Sequence, residues 1–292
     1  MLGLKRLLVA TDFSSRADKA IARAVRLAEE HGATVSVVYI LTGASGREPE
    51  RLRIASQIEK DLRRKLDDLS PKKKALVSVR VLSGTPFVEI IRQARQETAN
   101  LIIVGAHGKD FMKDVLLGTT AEKIVHKGDR SVLVVNQAPH SSYHRVLVGV
   151  DFSDNCRRAL ELALRLAPHA EFHALHVYSG SEGMLRGAGV TDEGILRYQR
   201  HVAKDARQQM DAFLETIHRG RKRITREVWN GQPRREITKI AKVLRADLIA
   251  IGTAGRTAIP YILLGSVAEH VMREAHCDVL VVRSGSKSFK LP

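Results

Sequence analysis

The sequence predicts an α/β protein built from two Rossmann-like domains, each a five-stranded parallel sheet with helices on both faces. Three observations lead there. First, apolar strand-like runs alternate with segments of helical periodicity, and that order calls for helical crossovers between parallel strands. Second, a sixteen-residue pattern occurs twice: Gly105-Ala-His-Gly108 running on to Gly118-Thr119-Thr120, and Gly252-Thr-Ala-Gly255 running on to Gly265-Ser266-Val267. Both copies read G-x2-G-x9-G-[S/T] and follow an apolar run, Leu101–Val104 or Leu248–Ile251. Third, matching landmarks keep constant spacings. Asp12 to Asp151 and Tyr39 to Tyr178 are each 139 residues apart; Gly84 to Gly231, Gly105 to Gly252 and Leu133 to Leu280 are each 147 apart.

The first half opens with Arg6–Asp12, an apolar run that ends in an acid and reads as a buried strand. Ser14 and Ser15 offer an N-cap for a helix over Ala17–Glu30, where Ala20, Ile21, Ala24, Val25, Leu27 and Ala28 recur at helical spacing; His31-Gly32 ends it. Thr34–Leu41 is rich in β-branched residues and reads as a strand. A long helix over Arg47–Leu69 follows, then a loop at Pro71 and Lys72–Lys74, a strand over Leu76–Leu82, and Gly84-Thr-Pro86 turning into a helix over Phe87–Glu97. Leu101–Val104 is the fourth strand, Thr119–Lys127 the fourth helix and Val132–Val135 the fifth strand.

Gln137–His144 is a polar linker, and the order then restarts with Val146–Asp151. Domain limits of 1–138 and 143–285 follow. The change of offset from 139 to 147 places a gain of eight residues between Tyr178 and Gly231, and the Gly-rich Ser179–Gly194 is the expected loop, overhanging the strand ends.

Composition narrows the functional classes. A hydrophobic fraction of 44% with 4% aromatics fits a Val/Leu/Ile/Ala core of buried parallel strands. No apolar run approaches the length of a membrane span, and the N-terminus reaches its first strand without a signal-peptide h-region, so a cytoplasmic protein is expected. Cys156 and Cys277 are far apart and read as reduced thiols. The net charge of +16 divides evenly at residue 140, with 24 Lys+Arg and 16 Asp+Glu in each half. It favours anionic partners, yet no RNP-like or zinc-finger pattern accompanies it, and a solvated basic surface is the preferred reading.

In an open parallel sheet, ligands bind outside the carboxyl ends of the strands. Three features gather there in each half: the acid after strand 1 (Asp12, Asp151), the Gly-x-Pro turn, and the glycine motif. The aspartates suit a ribose hydroxyl or an adenine amino group, and an aspartate at that point also suits a helix cap. Glycines at a strand-to-helix turn let the backbone approach a phosphate, while the helix starts at Gly118-Thr119-Thr120 and Gly265-Ser266-Val267 offer amides to it.

The residues resemble the universal stress proteins, in tandem form, over essentially the whole chain. The resemblance rests on Val-Ala-Thr-Asp12-Phe-Ser and Val-Gly-Val-Asp151-Phe-Ser, on Gly84-Thr-Pro and Gly231-Gln-Pro, and on G-x2-G-x9-G-[S/T], the mark of the family's ATP-binding branch. It implies a strand order of 3-2-1-4-5 in each half, with the halves paired through their last strands like the family's homodimer, and leaves a further homodimer open. It implies ATP as ligand, with Asp12 and Asp151 at the adenosine end and Val38 and Val177 flanking the adenine. Gly105, Gly108, Gly118 and Thr119, with Gly252, Gly255, Gly265 and Ser266, would hold ribose and phosphates. Pro260-Tyr261 and the longer Ser179–Gly194 depart from the pattern, so the Gly105–Thr119 copy is the more standard of the two.

Signs of catalysis are few. There is no GxxxxGK[S/T] and no HExxH. His107 in the first motif is replaced by Ala254 in the second, and Lys109 and Arg256 share a position that suits either phosphate steering or solvent. Neither His126 nor His276 reads as a metal ligand. The leading expectation is a regulatory, ATP-binding protein. The alternatives are a slow Mg²⁺-dependent ATPase or phosphotransferase, with Thr119 and Ser266 positioning the metal or phosphate, and a basic protein associated with nucleic acid.

Overall fold

A computed structural model of the chain describes residues 3–43, 48–69, 77–106, 118–179, 182–217, 224–253 and 264–283. The first half runs β1 (Arg6–Thr11), α1 (Ser15–His31), β2 (Thr34–Leu41), α2 (Glu48–Leu69), β3 (Val77–Ser83), α3 (Pro86–Gln96), β4 (Leu101–Gly105), α4 (Thr119–Lys127) and β5 (Ser131–Val135). The second half runs β6 (Arg145–Val150), α5 (Asp154–Leu166), β7 (Glu171–Tyr178), α6 (Glu182–Gly187), α7 (Asp192–Ile217), β8 (Ile224–Asn230), α8 (Pro233–Val243), β9 (Leu248–Gly252), α9 (Ser266–Glu274) and β10 (Asp278–Val282).

The local chemistry of α1 shows why these elements form. The Ser14 side chain accepts from the Ala17 amide at 3.1 Å and caps the start. Gly32 sits in the left-handed region at φ 60°, and its N–H closes on the Ala28 carbonyl. Between them Ala20, Ile21, Ala24, Leu27 and Ala28 are buried, one apolar stripe against the sheet.

The strands form a single ten-stranded sheet in the order β3-β2-β1-β4-β5-β10-β9-β6-β7-β8. Each half thus keeps the order 3-2-1-4-5 and pairs parallel throughout, and the two half-sheets join through their last strands, as the resemblance implies. β5 and β10 pair antiparallel, with Val134 opposite Val279, Leu133 opposite Leu280 and Val132 opposite Val281. Both strands are wholly apolar at these positions. Left as edges they would present unpaired backbone groups on a sticky surface, and the seam removes both edges at once.

Two hydrophobic layers cover the sheet, and each spans both halves. One face packs under α1, α2, α5 and α7, from Ile21 and Leu62 through Leu133 and Leu280 to Leu160 and Phe213. The other packs under α3, α4, α8 and α9, from Ile90 and Ile124 through Val134 and Val281 to Ile240 and Val271. The Ser179–Gly194 stretch is a correction to the expected loop. Its described part is largely helical: α6 closes where the Gly189 amide reaches the Arg186 carbonyl and the Val190 amide that of Leu185, both at 3.0 Å. Gly189, at φ 76°, supplies the left-handed stop. The glycines that suggested a loop end a helix instead, and the rest of the added length lies in α7, at 26 residues against 22 for α2.

Candidate functional site

The turn after the first strand of each half is built alike. The Asp12 Oδ1 accepts from the Ser14 amide at 3.0 Å; the Asp151 Oδ1 accepts from the Ser153 amide at 2.9 Å and the Ser153 hydroxyl at 2.6 Å. The helix cap itself is Ser14 in α1 and Ser153 in α5, so the aspartates shape the turn and are half-buried at its mouth. Between acid and cap, Phe13 and Phe152 both sit at φ 63°, a left-handed conformation costly for an aromatic residue and repeated in both halves. That backbone turns each ring onto the second strand of its half. Phe13 lies 5.3 Å from Tyr39, and Phe152 lies 4.4 Å from His176 and 5.8 Å from Phe213 of α7. His176 is itself held by a 2.7 Å bond between its Nδ1–H and the Val150 carbonyl.

β4 lies beside β1, and β9 beside β6, so the glycine motifs begin next to these turns. The first glycine of each motif has a packing reason. A Cβ on Gly105 would stand 2.9 Å from the Arg16 carbonyl group, and one on Gly252 would stand 2.9–3.0 Å from Asn155 Cβ and carbonyl carbon. The strand ends therefore press against the first turns of α1 and α5, and the missing side chains make room for protein backbone. Next, the Ala106 amide bonds the Val135 carbonyl at 3.1 Å, and the Gly118 amide bonds the Ala106 carbonyl at 2.6 Å. Thr253 bonds Val282 at 2.9 Å and Gly265 bonds Thr253 at 2.7 Å in the same way. The two ends of each motif are thus tied together beside the neighbouring strand. The loop interiors, with Gly108 and Gly255 and with His107, Lys109, Arg256, Pro260 and Tyr261, lie outside the described residues.

Past each loop a helix starts on a glycine. Gly118 caps α4 at φ −69°, ψ 140°, and Gly265 caps α9 at φ −64°, ψ 145°, neither with a side-chain hydrogen bond. The first-turn amides of Thr119, Thr120 and Ala121, and of Ser266, Val267 and Ala268, have no side-chain cap, and the helix dipole puts partial positive charge there. Thr119 and Ser266 are exposed at these termini, Thr120 is half-buried, and Val267 packs on the core so that only its amide faces the terminus. This donor set suits a phosphate. Because β5 and β10 run antiparallel, the carboxyl ends of the two half-sheets leave the seam in opposite directions, and the two sites are separate.

Val38 and Val177 stand differently from the other candidate residues. Their side chains are 0% and 7% exposed and belong to the core beneath α3 and α8, not to an open surface. Cys156 lies under the second turn, its Sγ 3.5 Å from the Gly149 carbonyl, and burial pushes its thiol up to about 12. Burial likewise pushes the Cys277 thiol up, so both stay protonated at neutral pH. Both cysteines are free thiols in the core, as the sequence suggests.

Sequence reasoning missed the aromatic pairs and the charge at the seam. The signals were present: an aromatic residue between acid and serine in both halves, and a lone Asp278 opening an apolar strand where the 147-residue offset places Ser131.

No described helix is long and apolar enough to cross a membrane. The universal stress protein family model matches residues 3–136 and again 142–283. A universal stress protein of Methanocaldococcus jannaschii is 33% identical over 148 residues, covering 50% of this chain and 85% of that protein. One from Mycolicibacterium smegmatis is 26% identical over 293 residues, covering 95% of this chain and 96% of its own. The crystal structure of a universal stress protein from Archaeoglobus fulgidus, at 21% identity, shares the fold with a TM-score of 0.67, covering 97% of this chain and 99% of that one. The order 3-2-1-4-5 repeated across one sheet, the duplicated turn-and-loop geometry and the two family matches place the chain in the universal stress protein family, as a tandem of two copies.

Proposed function

We propose that the protein is a stress-response regulator that binds adenine nucleotide, ATP in the first instance, at the strand ends of one or both halves and does not turn it over rapidly. The observation that carries this reading is the pair of glycine-capped helix starts at Thr119 and Ser266. Each lacks a side-chain cap and each follows a loop tied at its base beside the Asp12 or Asp151 turn. In this reading the helix amides and the Thr119 and Ser266 hydroxyls hold phosphate oxygens, and the half-buried aspartates meet the adenosine end. Any Mg²⁺ would be carried on the phosphates. A cytosolic location fits this role. The histidine of the first motif, His107, is Ala254 in the second, so the two motifs share no histidine base, which favours binding over catalysis.

Mass spectrometry of small molecules released from the purified full chain tests the proposal. Adenine nucleotide, or ATP uptake by the ligand-free protein, is the expected result. Protein that carries no nucleotide and gives no calorimetric signal with ATP would overturn it.

A further inference from the structure

Because the halves keep a 147-residue register from Gly84 onward, each residue of α8 has a known counterpart in α3. The two helices share a fold but not a charge. Around α3, cations and acids balance and pair: Arg92 with Glu89, Arg95 with Asp129 at 3.1 Å, and Arg80 with Glu97 at 3.8 Å. In the second half the acids at two of these places are gone, Glu97 becoming Leu244 and Asp129 becoming His276. Two of the cations are kept as Lys239 and Lys242, the third, Arg80, becomes Glu227, and three more are added, Arg234 in place of Phe87, Arg235 in place of Val88 and Arg245 in place of Thr98.

All five of these cations are exposed. Lys239 reaches Glu236 at 3.8 Å; Arg234, Arg235, Lys242 and Arg245 make no ion pair with any described residue. Where α3 has an ion pair, Lys242 instead faces His276, whose pKa is lowered by burial and then by the charge of Lys242. A helix that gathers exposed cations without acidic partners calls for an anion from outside.

We propose that α8 is a docking face for the sugar-phosphate backbone of duplex DNA, bound without sequence preference. From Arg234 to Lys242 the cations extend over roughly 12 Å at 1.5 Å per helical residue, with Arg245 just past the helix end, the reach of about three successive phosphates of one strand. Pro233–Val243 contains no aromatic side chain to stack on unpaired bases and no Asn or Gln to read adenine, and its exposed Arg and Lys side chains suit phosphate oxygens. Val243 is its single large exposed apolar side chain, too little for insertion into a lipid surface or an apolar protein anchor. The proposal does not rest on the nucleotide sites.

Fluorescence anisotropy with a mixed-sequence duplex of roughly 24 base pairs, at 50 to 200 mM salt, tests it on the full chain. The variant Arg235→Glu/Lys242→Glu is compared with Arg53→Glu/Lys60→Glu, which has the same charge change and the same seven-residue spacing on exposed positions of α2. Wild type is expected to bind with affinity falling steeply in salt. The α8 variant should lose at least tenfold and show a log–log salt slope shallower by about two, one for each phosphate contact removed. The α2 variant should stay within about threefold. Arg235→Gln/Lys242→Gln should give a smaller loss in the same direction, which separates lost contacts from new repulsion. Equal losses in the α2 and α8 variants would overturn the proposal, as would absent or salt-insensitive DNA binding. So would stronger α8-dependent binding to vesicles of phosphatidylserine and phosphatidylcholine than to DNA.

Discussion

Arg23 and Asp278, 255 residues apart, meet across the seam with Nε 3.1 Å from Oδ2, their side chains 5% and 0% exposed. The Tyr143 hydroxyl donates to the same oxygen at 2.7 Å, and the Arg23 guanidinium lies 4.1 Å over the Tyr143 ring. The other carboxylate oxygen accepts the Asn136 and Gln137 amides at 2.9 and 3.1 Å. One carboxylate of the second half thus holds α1 and both ends of the linker. Removing it leaves a buried guanidinium without its partner, at a cost of about 3–5 kcal/mol. Asp278→Ala should lower the urea midpoint accordingly, while Arg23→Met/Asp278→Leu should recover only the part owed to the guanidinium, since Tyr143 and the Asn136 and Gln137 amides still lose their acceptor.

Gly105→Ala and Gly252→Ala should each destabilise the fold by about 1–3 kcal/mol, because the added methyl group meets backbone that cannot swing aside. Equilibrium denaturation reads this directly. Loss of nucleotide binding without loss of stability would show that these glycines serve the ligand and not the packing.

Cys156 links stability to alkaline pH. Its thiol ionises near 9.0 in the unfolded chain but only near about 12 when folded, so the unfolded state loses its proton first. Stability is unaffected below pH 9 and falls as pH rises toward 12, by up to about 1.4 kcal/mol per pH unit from this group. Urea midpoints between pH 8 and 10.5 should decline less steeply in Cys156→Ala than in wild type. At neutral pH a thiol reagent should label neither cysteine until denaturant is added.

Much of this arrangement is legible in the sequence because the chain states it twice. The repeated Asp-Phe-Ser, Gly-x-Pro and glycine motifs, at offsets of 139 and 147, locate every strand end that matters. What stayed hidden depends on contacts between segments distant in the chain. The space that Gly105 vacates is taken by the Arg16 backbone, which no local pattern reveals. α6 was masked by Gly183, Gly187 and Gly189, since glycine content marks a helix end as readily as a loop. Asp278 reads as an intruder in an apolar strand until Arg23, Tyr143 and the linker amides converge on it.

The helix starts allow a prediction in which stability and affinity move in opposite directions. A carboxylate in the first turn of a helix favours the helix dipole by about 0.3–1 kcal/mol and repels an incoming phosphate. Thr119→Glu and Ser266→Glu should therefore each hold or raise stability while weakening ATP binding at least tenfold in their own half. Calorimetric titration of the ligand-free full chain with ATP, repeated with Thr119→Glu, Ser266→Glu and the double variant, is the most direct test of the central claim. Binding in wild type, reduced by the single substitution in each occupied half and abolished in the double variant without loss of fold, is the predicted result. ATP binding that persists unchanged in the folded double variant, or no binding by the wild type, would contradict the account.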